Sequence, residues 1–512
     1  MNADLVLASE SIYTGTDAPP FKGYIAVSDG YIISVNKGVL SESELNGVGT
    51  YLDLKNKTIT PGFTDVHCFF TGYAIHFVGA DLSPATTIDE VLSIVIDYAN
   101  RFSPERTVLG HGLPKHLITD DNASRLKEAF GDRPVILFEQ GCESCLMNVA
   151  AENKYGFSKD TCYPESYVKL LPEILSDREF IIPLFKRYMK MLNRMGVTNV
   201  KEMGFDDFFG FTDILEELEK ENELSLRVHF MSQPVEKPMS LEYGRKMRKK
   251  FKEEYIRFSG YNQMTDGSVS ELCADLKKPY LCKDTTCAQE IDWNKILSDL
   301  KKADSEDFRF SLHAQGDAAI AKVLDIYENC KKDSDGKLIN RHSITDLEFS
   351  DPKDLERMGK LGAIAEIYPQ IQSIANRKDK LDMINETIGP ERGSFYWNRR
   401  KMIESGVTIS CGTDLPLLID NIPESIYHAV GGLFPEGGEP FNSENMLDRN
   451  ELLKAWTYGG AYNLGLENEL GTLEAGKKAD MVIFNSNIFD TSLEDIRKQY
   501  VEQTYLNGKR IF

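Results

Sequence analysis

A regular alternation of short apolar runs with helical stretches begins near residue 185 and constrains the fold more than any other feature of the sequence. The apolar runs have the length of buried strands, and together with one more at residues 61–70 they number eight. Strands and helices that alternate in this way favour a (β/α)8 TIM barrel, an α/β fold. A doubly wound sheet is the alternative, although no Gly-x-Gly-x-x-Gly turn follows the first strand.

Both ends of the chain contain β-rich runs with hairpin signals. Asp29-Gly30 separates two such runs near the start, and Asn507-Gly508 lies within another near the end. We therefore expect residues 1–60 and 468–512 to form one small β-sandwich domain. The barrel would then comprise residues 61–70 and 186–467, and residues 71–185 would be an insertion after the first barrel strand that covers the active site.

The composition argues against some classes of partner. With 59 Lys and Arg residues against 80 Asp and Glu residues, the formal charge is −21, which argues against binding to nucleic acid or to an anionic membrane. No apolar run approaches the roughly 20 residues that span a bilayer, and no secretion signal is visible. Nine irregularly spaced cysteines fit a reducing compartment, so we predict a cytoplasmic protein that acts on a small molecule. The sequence leaves open whether the chain forms a homodimer.

Polar residues stand at or next to the ends of several predicted strands. Three are histidines and three carry carboxyl or amide groups: His67, His313, His342, Glu202, Asn262 and Asp414. In a (β/α)8 barrel the carboxyl ends of the strands meet on one face, where active sites lie. Histidine and aspartate ligands suit Zn²⁺, which would acidify a bound water molecule. The alternative is that each histidine is a hydrogen-bonded structural residue.

Several motifs resemble those of the metal-dependent amidohydrolase superfamily, in particular its YtcJ-like branch, which includes N-substituted formamide deformylases. They occur in the expected order over nearly the whole chain: PGFTDVH at 61–67, TDGS at 265–268, LHAQGDAA at 312–319, CGTDLP at 411–416 and GKKAD at 476–480. The resemblance implies a barrel with a β-sandwich built from both termini. It also implies an enzyme that hydrolyses carbon–nitrogen bonds other than peptide bonds by means of metal-activated water.

The sequence departs from this family at positions that concern the metal. Phe69 replaces the second histidine of a His-x-His motif on the first strand, and Asn262 aligns with a lysine that carries a metal-bridging carbamate in related enzymes. Since neither replacement suits a second metal, we predict one divalent ion, Zn²⁺. Cys142 and Cys145 form a lone C-x-x-C, which we interpret as structural thiols.

The resemblance and the strand-end pattern together assign the predicted site. The predicted metal ligands are His67, His313, His342 and Asp414. Asp414 would also shuttle the proton from water to the leaving amine, and His342 or His313 would help to polarise the carbonyl group of the substrate if it does not bind the metal. The predicted substrate-binding residues are Glu202, Asn262, Asp266 and Phe69.

Two other functions remain open at this point. One is a metal-independent hydrolase of the same fold that uses Asp414 and the histidines as acid and base. The other is a non-catalytic paralogue that binds a ligand. The altered first strand favours both, whereas the retention of Asp414 and the later histidines argues for an enzyme.

Overall fold

A computed structural model describes residues 2–142, 144–204, 211–234, 237–417 and 421–512 of the protein. The chain divides into two compact units. The larger comprises Met1–Cys68, Tyr188–Gly204 and Glu216–Phe512, and the smaller comprises Phe69–Arg187 and Phe205–Leu215. None of the described helices is long and apolar enough to cross a membrane.

The larger unit contains a nearly closed barrel of eight parallel strands, which confirms the predicted fold class. In chain order, barrel strands 1 to 8 are Phe63–Cys68, Val197–Met203, Arg227–Ser232, Ile256–Met264, Phe310–His313, Ser343–Thr345, Ile364–Ile367 and Thr408–Cys411. Each strand pairs with the next in sequence. A bridge between Cys68 and Leu415 brings barrel strand 1 to the chain that leaves barrel strand 8.

Barrel strands are buried on both faces, and their sequences reflect this. All six residues of barrel strand 1 and all seven of barrel strand 2 are buried. Apolar residues on both faces are typical of parallel strands that helices cover. Some charged residues are nevertheless buried within these strands, among them Lys201 and Glu366, which are both 0% exposed.

Helices begin and end where the sequence supplies caps. For example, Asp351 caps Pro352–Leu361 by accepting from the Lys353 amide, and Gly362 ends this helix with a φ of 68°. The described α-helices are Glu42–Leu45, Phe70–Ile75, Ile88–Ala99, Asp120–Phe130, Val149–Tyr155, Cys162–Ser176, Arg178–Arg194, Phe211–Lys220, Leu241–Lys250, Trp293–Ser305, Asp317–Tyr327, Pro352–Leu361, Arg377–Thr387, Pro390–Gly393, Arg399–Glu404, Ile422–Ala429, Arg449–Lys454, Gly460–Leu464 and Leu493–Ile496.

A second sheet of eight strands is built from both termini, which confirms the predicted extra β domain. Its strands are Ala3–Ile12, Phe21–Ser28, Tyr31–Lys37, Val48–Asp53, Thr58–Pro61, Met481–Phe484, Val501–Leu506 and Lys509–Arg510. Met481 pairs with Pro61, so the last part of the chain lies beside the first. The predicted turns at Asp29 and Asn507 both adopt positive φ, at 51° and 49°.

The smaller unit has its own four-stranded sheet of Ala80–Asp81, Val108–Leu113, Val135–Glu139 and Cys145–Met147. Cys142 and Cys145 are buried free thiols, and burial raises the pKa of Cys142 to about 12. This agrees with a structural role for these cysteines, because a thiol with such a pKa is unreactive at neutral pH. That residues 71–185 cover the active site stays a prediction.

Candidate active site

Two pairs of histidine and aspartate lie at the carboxyl ends of the barrel strands. His67 on barrel strand 1 places Nε2 3.7 Å from Oδ1 of Asp414, which follows barrel strand 8. His313 ends barrel strand 5, and its Nε2 lies 3.0 Å from Oδ2 of Asp346, which follows barrel strand 6. We refer to His67–Asp414 and His313–Asp346 as the strand-end pairs.

Both aspartates of the strand-end pairs have left-handed backbones. Asp346 has a φ of 64° and Asp414 a φ of 52°. This conformation costs a non-glycine residue about 1 kcal/mol and persists only where the surroundings enforce it. At Asp414 the constraint is visible, since the preceding Thr413 donates both its amide (3.0 Å) and its hydroxyl (2.6 Å) to buried Asp65. The Asp414 amide in turn donates to the His67 carbonyl at 2.8 Å.

The electrostatics of the strand-end pairs suit proton transfer. Burial, followed by the charge of Asp346, raises the pKa of Asp414 well above its ordinary value. The side chain of Asp414 nevertheless keeps 24% of its surface exposed, so a bound molecule can reach it. At His313 burial acts to lower the pKa, but the hydrogen bond to Asp346 and the charge of Asp266 raise it overall.

A buried network lies behind His67. Oε2 of Glu366 is 3.7 Å from Nδ1 of His67, and Oε1 of Glu366 pairs with the Lys201 ammonium and accepts from Nδ2 of Asn463 at 3.0 Å. The guanidinium of Arg309 lies 4.0 Å from the same oxygen. A carboxylate facing Nδ1 favours the tautomer in which Nδ1 carries the proton and Nε2 faces Asp414.

Charges within this network are matched. Burial lowers the pKa of Lys201 to about 8, against the opposing charge of Glu366. Burial acts to raise the pKa of Glu366, but the charge of Lys201 and the nearby His67 and Arg309 hold it below the usual range for a carboxyl group. The barrel interior therefore holds a carboxylate whose countercharge the protein itself supplies.

The structure does not bring Glu202 to the strand-end pairs, and its role in substrate binding stays a prediction. Successive residues of a strand point to opposite faces, and here Lys201 faces the barrel interior. Glu202 therefore points outward, where it accepts from the Tyr188 hydroxyl and lies 3.6 Å from the Cys68 sulfur.

His342 is also remote from the strand-end pairs, and its roles as a metal ligand and catalytic group stay predictions. It precedes barrel strand 6, where Ser343 pairs with Ser311 and Thr345 with His313. His342 therefore lies three residues, or roughly 10 Å, below His313 along the barrel. Its Nδ1 accepts from the Phe310 amide at 3.0 Å, and its Nε2 lies 2.9 Å from Oδ1 of Asp304.

His342, Asp304 and Cys330 form the one group of three His, Cys, Asp or Glu donors within 4.8 Å of one another in the part of the chain that the structure describes. Both ring nitrogens of His342 already make hydrogen bonds, and burial lowers its pKa although Asp304 acts in the opposite direction. Burial also raises the pKa of Cys330 to about 12, which disfavours the thiolate that a metal needs. The group is built as a hydrogen-bonded structural contact.

The remaining predicted substrate contacts have different surroundings. The carboxylate of Asp266 accepts from the amides of Gln315, Gly316 and Asp275 at 2.8–2.9 Å, so it shapes the loop behind His313 rather than offering itself to a substrate. Nδ2 of Asn262 donates to Gln233 at 3.1 Å, and its Oδ1 is buried without a hydrogen-bond partner. Phe69 precedes the helix Phe70–Ile75 in the smaller unit. Substrate contacts by Asn262 and Phe69 stay predictions.

Sequence reasoning missed Asp346, Lys201 and Glu366. A signal existed for each of them. Asp346 follows the apolar run at 343–345, so the rule that sites lie at carboxyl ends of strands selects it over His342. Lys201 and Glu366 stand inside apolar runs, where a charged residue must have a partner.

The family profile described as the amidohydrolase family matches residues 50–512, which is nearly the whole chain. The chain belongs to the amidohydrolase family. It is accordingly a hydrolase that acts on carbon–nitrogen bonds. This confirms the family and the type of enzyme that the sequence motifs predict.

Relatives of this amidohydrolase span its full length at low identity. It is 22% identical to protein LONG AFTER FAR-RED 3 of Arabidopsis thaliana, over 100% of this chain and 92% of that one. It is 22% identical to the N-substituted formamide deformylase of Arthrobacter pascens, over 99% and 97% of the two chains. It is 21% identical to the putative amidohydrolase YtcJ of Bacillus subtilis, over 92% and 95%.

Among solved structures, the fold is similar to that of an uncharacterized metal-dependent hydrolase from Pyrococcus horikoshii. The TM-score is 0.73 at 22% identity, and the match covers 96% of this chain and 99% of the other. At this identity the likeness concerns the fold.

Proposed function

We propose that this amidohydrolase cleaves the C–N bond of a small-molecule amide, formamide or cyclic amide at the strand-end pairs. The observation that carries this proposal is the placement of Asp414. Its carboxyl group has a raised pKa, remains 24% exposed and lies 3.7 Å from an imidazole nitrogen. A buried acid with a pKa moved toward neutrality is suited to general acid–base catalysis. A cytoplasmic location and a homodimer stay predictions.

Two donors at the strand-end pairs have the spacing of ligands of one divalent ion. Two ligands of a tetrahedral Zn²⁺ with bonds of about 2.0–2.1 Å are about 3.4 Å apart. The 3.7 Å between His67 Nε2 and Asp414 Oδ1 is close to this spacing and too long for a hydrogen bond. No third His, Cys, Asp or Glu donor at the described strand ends lies within 4.8 Å of both, so His67 and Asp414 are the residues placed to hold an ion, and a metal role for His313 stays a prediction. Such an ion would supply an acidified water molecule and polarise the carbonyl group of an amide.

The protein's own residues would carry the proton. Asp414 would accept the proton of the attacking water and return it to the leaving nitrogen, and its raised pKa favours the return of the proton. His313, oriented by Asp346, donates a hydrogen bond or positive charge toward the oxygen that becomes negative. Glu366 and Lys201 hold the His67 ring in place from behind.

A metal-independent hydrolase is a second candidate, and two observations favour it. Lys201 already supplies the countercharge of Glu366. In addition, no three His, Cys, Asp or Glu donors at the described strand ends lie within 4.8 Å of one another. In this candidate Asp414 and His313 would act as acid and base without an ion.

The test of the proposed function is hydrolysis of formamides, anilides and cyclic amides with zinc or manganese supplied. We expect Asp414→Asn to reduce turnover by about 10²–10⁴-fold, the usual contribution of a positioned acid or base. The matched control is Asp304→Asn, because Asp304 is an equally buried partner of a histidine outside the strand-end pairs. Equal losses in both variants, or no cleavage of any substrate by the wild type, would contradict the proposal.

A further inference from the structure

A buried arginine without an acidic partner lies close to the strand-end pairs. Arg399 is 1% exposed, and its Nη1 is buried without a hydrogen-bond partner. Its Nη2 makes a bond of 3.3 Å to the Tyr368 carbonyl. Within the described ranges no carboxylate lies within 4.0 Å of this guanidinium. A buried charge without a counter-ion is costly, so this arrangement requires an explanation.

The other buried arginine among the described residues, Arg227, is paired. Arg227 is also 1% exposed, yet its guanidinium lies 2.6 Å from Asp480, 2.9 Å from Glu254 and 2.6 Å from the amide oxygen of Asn507. Arg227 shows how this protein neutralises a guanidinium that serves the fold. Arg399 lacks that arrangement.

Arg399 lines a narrow pocket that adjoins the strand-end pairs. The pocket is also lined by Asp346, Glu348, Tyr368 and Trp397. Asp346 belongs to a strand-end pair, and the Tyr368 ring lies 5.3 Å from the His67 ring. The space measures about 10 Å³, enough for one water-sized atom. A single oxygen of a ligand can therefore enter, while the body of the ligand stays outside.

Both acidic residues of the pocket have partners of their own. Nζ of Lys380 lies 3.8 Å from Oε2 of Glu348 and packs over the rings of Tyr396 and Trp397. Asp346 lies 3.0 Å from Nε2 of His313. Because Lys380 faces Glu348 and His313 faces Asp346, the guanidinium of Arg399 is left for an incoming group.

We propose that Arg399 binds a carboxylate carried by the substrate, with one carboxylate oxygen in the pocket and the scissile C–N bond at the strand-end pairs. The inference rests on the proposed function and narrows its substrates to amides with an anionic end. A carboxylate is favoured over a phosphate because the pocket admits little more than one oxygen, and guanidinium groups bind carboxylates strongly.

The test is thermal unfolding of the full chain in sodium formate, acetate or phosphate, compared with sodium chloride at equal ionic strength. At saturating formate we expect the Tm of the wild type to rise by about 2 °C. The shift should vanish in Arg399→Met and persist in part in Arg399→Lys. Acetate should act like formate, and phosphate should have less effect.

Two controls keep the result interpretable. Arg227→Met, which removes an equally buried but paired guanidinium, should lower the Tm in chloride and still respond to formate. Arg399→Met should stay within about 2 °C of the wild type in chloride, because it removes an uncompensated charge. No formate response in the wild type, or an equal response in Arg399→Met, would overturn the proposal. The assay needs no turnover, so its outcome is independent of whether the proposed hydrolysis is observed.

Discussion

The two ends of the barrel each hold a buried histidine paired with an aspartate, and the two pairs have nearly the same length. His313 lies 3.0 Å from Asp346 at the carboxyl ends of the strands, and His342 lies 2.9 Å from Asp304 at the opposite end. They differ at the second ring nitrogen. Nδ1 of His342 accepts from a backbone amide, whereas Nδ1 of His313 is buried, makes no hydrogen bond and lies 3.9 Å from Asp266.

The charge around the two histidines differs as well. The pKa of His342 is lowered, chiefly by burial, whereas carboxylates around His313 raise its pKa despite burial. Asp304 is bound by further donors from Lys331 and Asn340, and Asp346 by one from the Gln315 side chain, but only Asp346 has a left-handed backbone and faces the pocket. The histidine–aspartate pair alone therefore does not identify an active site. The features that identify an active site are the ring nitrogen of His313 that makes no hydrogen bond, the carboxylates around His313 and the left-handed backbone of Asp346.

The largest expected effect is on catalysis. We expect His313→Asn to reduce hydrolysis by about 10³-fold, because it removes a group placed to stabilise developing charge, and His342→Asn to change it less than about fivefold in protein that is folded. Steady-state kinetics on any amide that the wild type cleaves would check this. A larger loss in His342→Asn than in His313→Asn would reverse the comparison.

The next effect concerns the network behind His67. Lys201→Met leaves Glu366 buried without its main countercharge, so we expect a loss of about 4 kcal/mol in the free energy of unfolding. The double variant with Glu366→Leu should recover most of that stability, because no charge is then left unpaired. Urea unfolding measures both variants. If the double variant is less stable than Lys201→Met, the pair is stabilising in its own right.

A smaller effect is expected on stability, where the same substitution to asparagine should act differently on Asp304 and Asp346. Asp304→Asn should cost about 2 kcal/mol, since the new amide group faces donors from Lys331, Asn340 and His342. Asp346→Asn should stay within about 1 kcal/mol of the wild type, because it relieves repulsion with Asp414 and asparagine tolerates positive φ. Chemical denaturation gives both values. Equal losses would mean that the two pairs serve the fold alike.

The smallest effect is on the pH dependence of stability. Burial raises the pKa of Asp304, but hydrogen bonds from His342 and the Lys331 amide lower it overall. A carboxyl group whose pKa is lower in the folded state stabilises the protein above its unfolded pKa of about 3.9, and this contribution is lost as the pH falls through the folded value. Asp304→Asn should therefore unfold with a shallower pH dependence below about pH 4 than the wild type. A steeper dependence in the variant would contradict the assignment.

Much of the fold and part of the candidate active site could be predicted from the sequence. The alternation of apolar runs predicts the barrel, and hairpin signals at Asp29-Gly30 and Asn507-Gly508 predict the terminal strands, because both patterns depend on local physics. The positions of His67, His313 and Asp414 follow from the same rule about strand ends.

The rest depends on distances that a sequence does not encode. His342 directly precedes its strand, and a boundary shifted by three residues moves a side chain from one end of the barrel to the other. Glu202 and Lys201 are neighbours on one strand, where successive side chains point to opposite faces. An error of one residue in the predicted alternation therefore moves a side chain from the barrel interior to the outside. The unpaired state of Arg399 depends on distances in the fold, since Asp346 and Glu348 line the same pocket but no described carboxylate lies within 4.0 Å of its guanidinium.

A measurement of metal content tests most directly whether a divalent ion binds at the strand-end pairs, because the measurement needs no substrate. Wild type, Asp414→Asn and His342→Asn would be loaded with zinc, desalted and analysed for metal. We predict about one zinc per chain in the wild type and in His342→Asn, and little in Asp414→Asn, because Asp414 would hold the ion. Zinc retained by Asp414→Asn but lost from His342→Asn would place the metal with Asp304 and Cys330 and contradict the account, as would a wild type that binds none.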